Sequence, residues 1–473
     1  MSDSMSDSTQ PPALGHQTLG PAAARPAPSP YLKWAVPGGV ALLVVLFVLF
    51  QVLTQADANT LFYWIAVPGL KIAGVMAVLP LFVAGFTLAE RKIIGWIQVR
   101  LGPMRVGPNG IMQPFADVLK LFCKEDIVPT GATRFVFILA PVISIVPAFI
   151  VIAVLPFGPN IDNWDEAWYC APAVWVANVV DAVAAEGEVD RKRPLPTGIV
   201  DGLDIGLLYI LAVGSLGVFA ILLAGWSSNS KYPLLGGLRS AAQMISYEVP
   251  LGFALIAGLL MAQTLNMQGI VEAQMNLGWS FFLLQPLSLF IYFVAGVAET
   301  NRVPFDLPEA ETELVSGFHT EYSGMKFAFF FLAEYINMIT VAAIAVTLFW
   351  GGWLPPLHGF WDKGGWAFSA PAGFIWFSLK IAAFYFLYFW LRATLPRYRY
   401  DQLMGLGWKF MIPLSLLNVM LVGFGVWLHR SRGWEGGWGL FAWAIVSVLV
   451  ALFFVFIFRS RRGDYGTPAV RSA

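Results

Sequence analysis

Charge is what this sequence has least of. Only 12% of its 473 residues are Asp, Glu, Lys or Arg, while 58% are hydrophobic; an ordinary soluble domain carries about twice that share of charge. Most of the chain must therefore lie where charge is costly, which points to lipid as its solvent. Net charge is zero, so no basic excess offers itself to phosphate and nothing points to nucleic acid as a partner. Cysteine is nearly absent. Cys123 and Cys170 are too few for a cysteine-ligated iron–sulfur cluster or a thiolate zinc site, and His16, one of four histidines, falls in a Pro-rich tail. No metal site is expected in this chain, and any redox centre it serves is expected on a partner.

What is present is a series of long apolar runs. A helix rises about 1.5 Å per residue and the hydrocarbon layer is about 30 Å thick, so a span needs about 20 apolar residues. Ten such runs occur, near 34–53, 61–89, 135–156, 204–225, 246–264, 279–298, 326–350, 371–393, 409–428 and 437–458. Pro68, Pro80, Pro141 and Pro147 fall within them, which a helix bundle in lipid tolerates because neighbours satisfy the freed carbonyls. The tail 1–33 is rich in Ser, Pro and Ala and is expected to be disordered. The run after it is too long for a signal-peptide core and is expected to remain as a first span.

Lys and Arg set the orientation. Segments 90–134, 226–245, 299–326, 392–409 and 459–473 carry 19 of them, against 6 in 54–60, 157–203, 351–370 and 429–436. The first set, and with it both termini, is expected on the cytoplasmic side. Cys123 and Cys170 then lie on opposite sides, which excludes an intramolecular disulfide. The outer segment 157–203 is acidic and is expected to be a solvated excursion, with a short helix near 171–185.

Ionisable groups inside spans cost about 2.5–3.5 kcal/mol each at a helix centre and persist mainly where they face protein or water. Glu248 lies nine residues into a helix expected to start at Arg239, about 14 Å deep. Glu334 lies eight residues past Lys326, about 12 Å deep, and Lys380 twelve residues before Arg392, about 18 Å deep. Each alone could be a structural contact between helices, but two carboxylates at matching depth favour a functional pair. Lys71, near a helix end, is better explained by snorkelling.

Segment 299–326 gathers Glu299, Asp306, Glu309, Glu311, Glu313 and Glu321 against Arg302 and Lys326. Like charges this close resist full ionisation where water is scarce, so such a cluster could hold and pass protons. The bland alternative is a solvated acidic loop. Interleaved Val303, Phe305, Leu307, Leu314, Val315 and Phe318 argue instead that the segment packs against something. Loops 89–110 and 392–410 mix Arg with aromatics, and Gly102-Pro103 and Gly107-Pro108 give the first a defined shape.

At these loops the sequence resembles a known family. The stretches AERKIIGWIQVR, GWSSNSKYPLLGGLRSAAQMISYEV, AETNRVPFDLPEAETELVSGFHTEY, FLAEYINM and RATLPRYRYDQLM are similar, in order and spacing, to the signature segments of the NuoH family. This is the bacterial membrane subunit of respiratory complex I. The resemblance implies an all-α integral membrane protein with a core of eight spans over 61–428. One extra span would flank the core on each side, in 34–60 and 429–473, and cytoplasmic loops would form part of a quinone chamber.

It implies that quinone is a substrate, and that flavin and iron–sulfur clusters sit on other complex I subunits. Cytoplasmic quinone-site subunits and small and antiporter-like membrane subunits would be its partners, in the bacterial inner membrane. Position by position, Glu90, Arg91, Arg100, Arg302, Asp306, Arg397, Arg399 and Asp401 match the chamber and arm interface. Glu248, Glu299, Glu309, Glu311, Glu313 and Glu334 match the charged path of proton coupling, and Lys380 joins it as a buried cation. No catalytic redox residue is expected in this chain.

The chain departs from the family pattern at Met104, where Asn is usual, and in its first span, its insertion 157–203 and its last span. Three other readings stay open: a related subunit of a membrane-bound hydrogenase-type complex, a stand-alone proton or ion transporter, and a purely structural membrane anchor. The first differs in its electron donor. The second predicts an internal repeat that the sequence lacks, and the third leaves the intramembrane carboxylates unexplained.

Overall fold

Hydropathy fixes where helices can lie in lipid, and the computed structural model shows how they pack. It describes residues 67–158, 203–307, 316–356, 370–432, 443–450 and 452–453. The expected tail and first span, most of the outer segment, and Glu309, Glu311 and Glu313 lie outside the described residues. Within them regular structure is helical throughout. The chain runs through α1 (Val67–Ile97), α2 (Gln113–Cys123), α3 (Arg134–Ile152), α4 (Gly206–Gly214), α5 (Leu216–Ser227) and α6 (Lys231–Ala262). It continues through α7 (Met267–Leu277), α8 (Phe281–Leu284), α9 (Pro286–Glu299), α10 (Gly324–Phe349), α11 (Ala370–Thr394), α12 (Tyr400–Leu406) and α13 (Ile412–Arg432).

Seven helices among the described residues are long and apolar enough to cross a membrane, with α4–α5 and α12–α13 each counted as one, and α9 is a shorter apolar helix. Pro80, Pro141, Pro147 and Pro250 lie inside helices rather than ending them, as the lipid-bundle argument expects. The centre of the bundle is α10, of whose apolar stretch 67% is buried, against 11% for α1 at the periphery.

Three boundaries differ from the hydropathy reading. Helix α6 begins at Lys231, so the expected loop 226–245 shrinks to a turn, and Glu248 lies seventeen residues into its helix, about 25 Å along it. Hydropathy reports burial in lipid, whereas the polar stretch around Arg239 is helical because Ala, Leu, Gln and Met favour helix. The loop 90–134 holds the last turns of α1 and the whole of α2. The expected span 279–298 breaks at Gln285, and Pro286 starts α9 at the position where a missing N–H is harmless.

Close crossings bring the elements of the site together. A Cβ at Gly236 of α6 would lie 2.7 Å from the Cα of Gly317, so glycine lets the 317–319 turn rest directly on α6. Tyr322 stacks on Phe137 with ring centroids 4.0 Å apart and donates to the Phe137 carbonyl at 3.2 Å, which locks α3 to the segment entering α10. At the far end of the chain, Trp443 donates from Nε1 to the Leu421 carbonyl at 2.8 Å. That contact seats the helical stretch 443–450 on α13.

Candidate functional site

The site begins with the way α9 ends. Asn301 adopts a left-handed backbone, φ 51°; its N–H donates to Ala298 O, and the Arg302 N–H donates to Val297 O, both at 3.3 Å. This is the Schellman reversal, with Asn in the position usually held by glycine. Thr300 Oγ1 donates to the Gly296 and Val297 carbonyls. Gln243 of α6 then clamps both sides of the reversal, its Nε2 donating to Ala298 O and Phe305 O at 2.7 Å each. The chain doubles back, and Arg302 is carried into the bundle rather than out to solvent.

Arg302 is the hub of a buried ion cluster. Its Nη1 lies 3.2 Å from Glu90 Oε1 of α1 and its Nε 2.8 Å from Glu334 Oε1 of α10. Its guanidinium rests 4.4 Å from the ring centre of Tyr335. Glu90 also accepts from Tyr335 Oη at 2.5 Å and pairs with Nη1 of Arg392 at the end of α11. Two acids and two arginines thus close a neutral set across four elements. Burial works against the Arg302 charge, but Glu334, Tyr335 and Glu90 hold its proton affinity well above the ordinary arginine value, so it stays a fixed cation.

A second pair lies beside the first. Arg397 Nη2 donates to the buried Asp306 at 2.7 Å, and the Tyr398 N–H donates to the Pro304 carbonyl at 3.0 Å. The two loops that looked like separate charge runs in sequence therefore meet. Tyr247 Oη donates to Leu403 O at 2.9 Å, and Trp408 Nε1 donates to Ser246 Oγ at 3.1 Å. These bonds hold α12 and the π-helical turn Gly407–Met411 against the part of α6 that carries Glu248.

On the other side of Glu334 is a cavity of about 50 Å³, room enough to hold water. Glu299, Glu334, Asn301, Asn337 and His319 line it. Glu248 is half-buried on α6, near enough to Glu299 for their charges to repel. His319 is packed among Phe318, Phe327 and Phe331, and burial lowers its pKa from 6.5 to about 4. It is therefore a neutral ring at physiological pH.

Not every expected residue joins this centre. Arg91 is exposed and pairs with Asp117 of α2 at 2.6 Å, tying the end of α1 to that helix. Arg100 is exposed and donates to Gln98 Oε1. Arg399 and Asp401 are exposed at the start of α12. Lys380 is buried against the opposite end of α10, where it donates to backbone carbonyls.

Arg392, Tyr335, His319, Asn301 and Asn337 belong to the constellation without having been singled out in sequence. Arg392 is indistinguishable there from a helix-end topogenic charge. The Glu-Thr-Asn run before Arg302 did carry a readable signal, the helix stop itself.

Residues 70–423 match the family described as NADH dehydrogenase. H-type subunit 1 of the NADH-quinone oxidoreductase of Geobacter sulfurreducens is 52% identical over 359 residues, covering 76% of this chain and 94% of that protein. H-type subunit 2 of the NADH-quinone oxidoreductase of Geobacter metallireducens is 50% identical over 361 residues, covering 76% and 95%. Every charged member of the buried cluster lies within the matched region, and the chain, a multi-pass membrane protein, belongs to the family of the H-type subunits of NADH-quinone oxidoreductase.

Proposed function

We propose that this chain forms the membrane-side part of the quinone chamber of NADH-quinone oxidoreductase and couples quinone reduction to proton translocation through its buried carboxylates. The observation that carries this reading is the neutral cluster Glu90–Arg302–Glu334–Arg392, set directly against a water-sized cavity that Glu334 shares with Glu299. Such a cluster is sensitive to any new charge beside it, because removing or neutralising one member leaves its partner buried and uncompensated.

Reduction of quinone takes two electrons, delivered from flavin and iron–sulfur centres on partner subunits, and two protons. A reduced, negatively charged quinone beside the Arg397–Asp306 and Arg302 groups competes for the arginines. That competition loosens Arg302 from Glu334 and changes the proton occupancy of Glu334 and Glu299. Glu248, at repulsive range of Glu299, responds in turn, and the change passes toward antiporter-like membrane subunits. Glu309, Glu311 and Glu313 belong to the same proton-coupling set. The Arg91–Asp117 pair, Arg100, Arg399 and Asp401 belong to the interface with the cytoplasmic arm. The excess of Lys and Arg in the matching loops supports a position for both termini on the cytoplasmic side of the inner membrane.

Glu248→Gln in the assembled complex tests the relay. Proton pumping or quinone turnover should fall while the complex still assembles; normal pumping and turnover in an assembled variant would refute the role. Whether NADH or hydrogen reduces the clusters of the purified complex separates this function from that of a hydrogenase-type relative.

A further inference from the structure

The end of α10 remote from the ion cluster is closed by an unusual arrangement. Phe349 lies fifteen residues beyond Glu334, about 22 Å along the axis. There Gly351 and Gly352 take left-handed backbones, φ 75° and 53°, a turn that glycine makes at little cost. The turn aims three carbonyls at one point. Lys380 Nζ occupies it, donating to Trp350 O at 2.6 Å, Gly352 O at 2.8 Å and Leu354 O at 2.7 Å. Lys380 is 6% exposed, and among the described residues no carboxylate pairs with it. Two further carbonyls of the same helix end, Thr347 O and Leu348 O, accept from Gln274 Nε2 at 2.9 and 3.2 Å.

Three acceptors require three N–H donors, which a lysine has only when protonated. Losing that proton would orphan a buried carbonyl at a helix end, where the partial charge is negative and a cation is favoured. A group that relays protons must give one up at each cycle. This one is tied into a cage that opposes its release.

We propose that the carbonyls of Trp350, Gly352 and Leu354 form a monovalent-cation cradle and that Lys380 is its built-in cation, a positioning residue that fixes the end of the helix carrying Glu334. The ligand class is a small, weakly hydrated monovalent cation of about ammonium or potassium size, which main-chain carbonyls coordinate. Lys380 then remains charged through turnover.

The test uses the purified, assembled complex. Lys380→Ala empties the cradle without touching the ion cluster, and its retention in the soluble complex after heating is followed while ammonium chloride, potassium chloride or choline chloride is titrated at constant ionic strength. The variant should be less heat-resistant than the parent. Ammonium or potassium should restore it saturably, as binding to the native state alone requires, whereas choline should not, and the parent should respond equally to all three salts. An identical salt response in variant and parent would overturn the proposal. Lys380→Met, which keeps the stem packed, gives the same readout if the alanine chain does not assemble; a Met complex as heat-resistant as the parent would also overturn it. An assembled Lys380→Arg variant, whose charge cannot be removed, should pump protons wherever it keeps parental heat-resistance, and one that keeps parental heat-resistance but has lost pumping would assign Lys380 to proton transfer instead. The heat measurement involves no turnover, so it stands or falls separately from the coupling role of Glu334.

Discussion

Replacing Glu90 with Gln keeps the shape of the side chain and removes one charge from the middle of the buried cluster. Glu90 holds Arg302 at 3.2 Å, pairs with Arg392 and accepts from Tyr335 at 2.5 Å. At an effective dielectric constant of about 20, a pair at 3.2 Å is worth about 5 kcal/mol before desolvation is counted. Breaking a buried pair from one side costs about 3–5 kcal/mol, because the partner remains buried. Here the two arginines differ. The Arg392 side chain is 32% exposed and reaches water, whereas that of Arg302 is 5% exposed and keeps Glu334 as its remaining carboxylate. The cost is therefore expected near the lower end, about 3 kcal/mol.

The cluster would go from neutral to singly positive, so Arg302 should draw Glu334 into a tighter pair and quinone turnover should fall with stability. The assay is heat-resistance of the assembled complex together with NADH-driven quinone reduction. Glu90→Gln is then combined with Arg392→Gln, which restores neutrality. The double variant should be more stable than the sum of the singles, with a coupling of about 0.5–3 kcal/mol. A single variant with parental heat-resistance and turnover, or strict additivity in the double, would refute the description of Glu90 as the shared anion of two arginines.

The other expectations concern pH and packing. His319 has a pKa lowered from 6.5 to about 4 by burial, so on opening of the structure it takes up a proton between those values. Its contribution to stability is complete above about pH 6.5 and is lost as pH falls toward 4. His319→Asn should flatten the acid side of a heat-resistance profile in that window, and an unchanged profile would contradict the buried neutral ring. Gly236→Ala should destabilise by about 1–3 kcal/mol, because the new methyl meets the Gly317 backbone at 2.7 Å. Gly252→Ala on the same helix, with nothing within 4 Å, should leave heat-resistance unchanged.

Much of the candidate site was legible as residue types. Glu90, Arg302, Asp306, Glu334 and Arg397 stand out as charges in an apolar chain, and each has a partner in the fold. Their pairing was not legible. Arg302 reaches Glu90 across 212 positions and Arg392 reaches it across 302, and neither separation follows a local period. Tyr335 was hidden beside Glu334 because adjacent helical residues point about 100° apart, so the company of one says nothing about the other. Lys380 was visible as a buried cation, but its partners are main-chain carbonyls, which every residue has and no sequence marks.

Lipid residence, the helical class and the approximate places of the long helices among the described residues were determined by the sequence alone, because transfer into lipid sums residue by residue along a stretch of about 20. The start of α6 at Lys231, the break at Gln285 and the meeting of the 303–306 and 397–399 loops were decided only by the tertiary structure. Those depend on which helix faces come together, and in lipid this is settled by close packing and by the pairing of a few polar groups rather than by hydrophobicity.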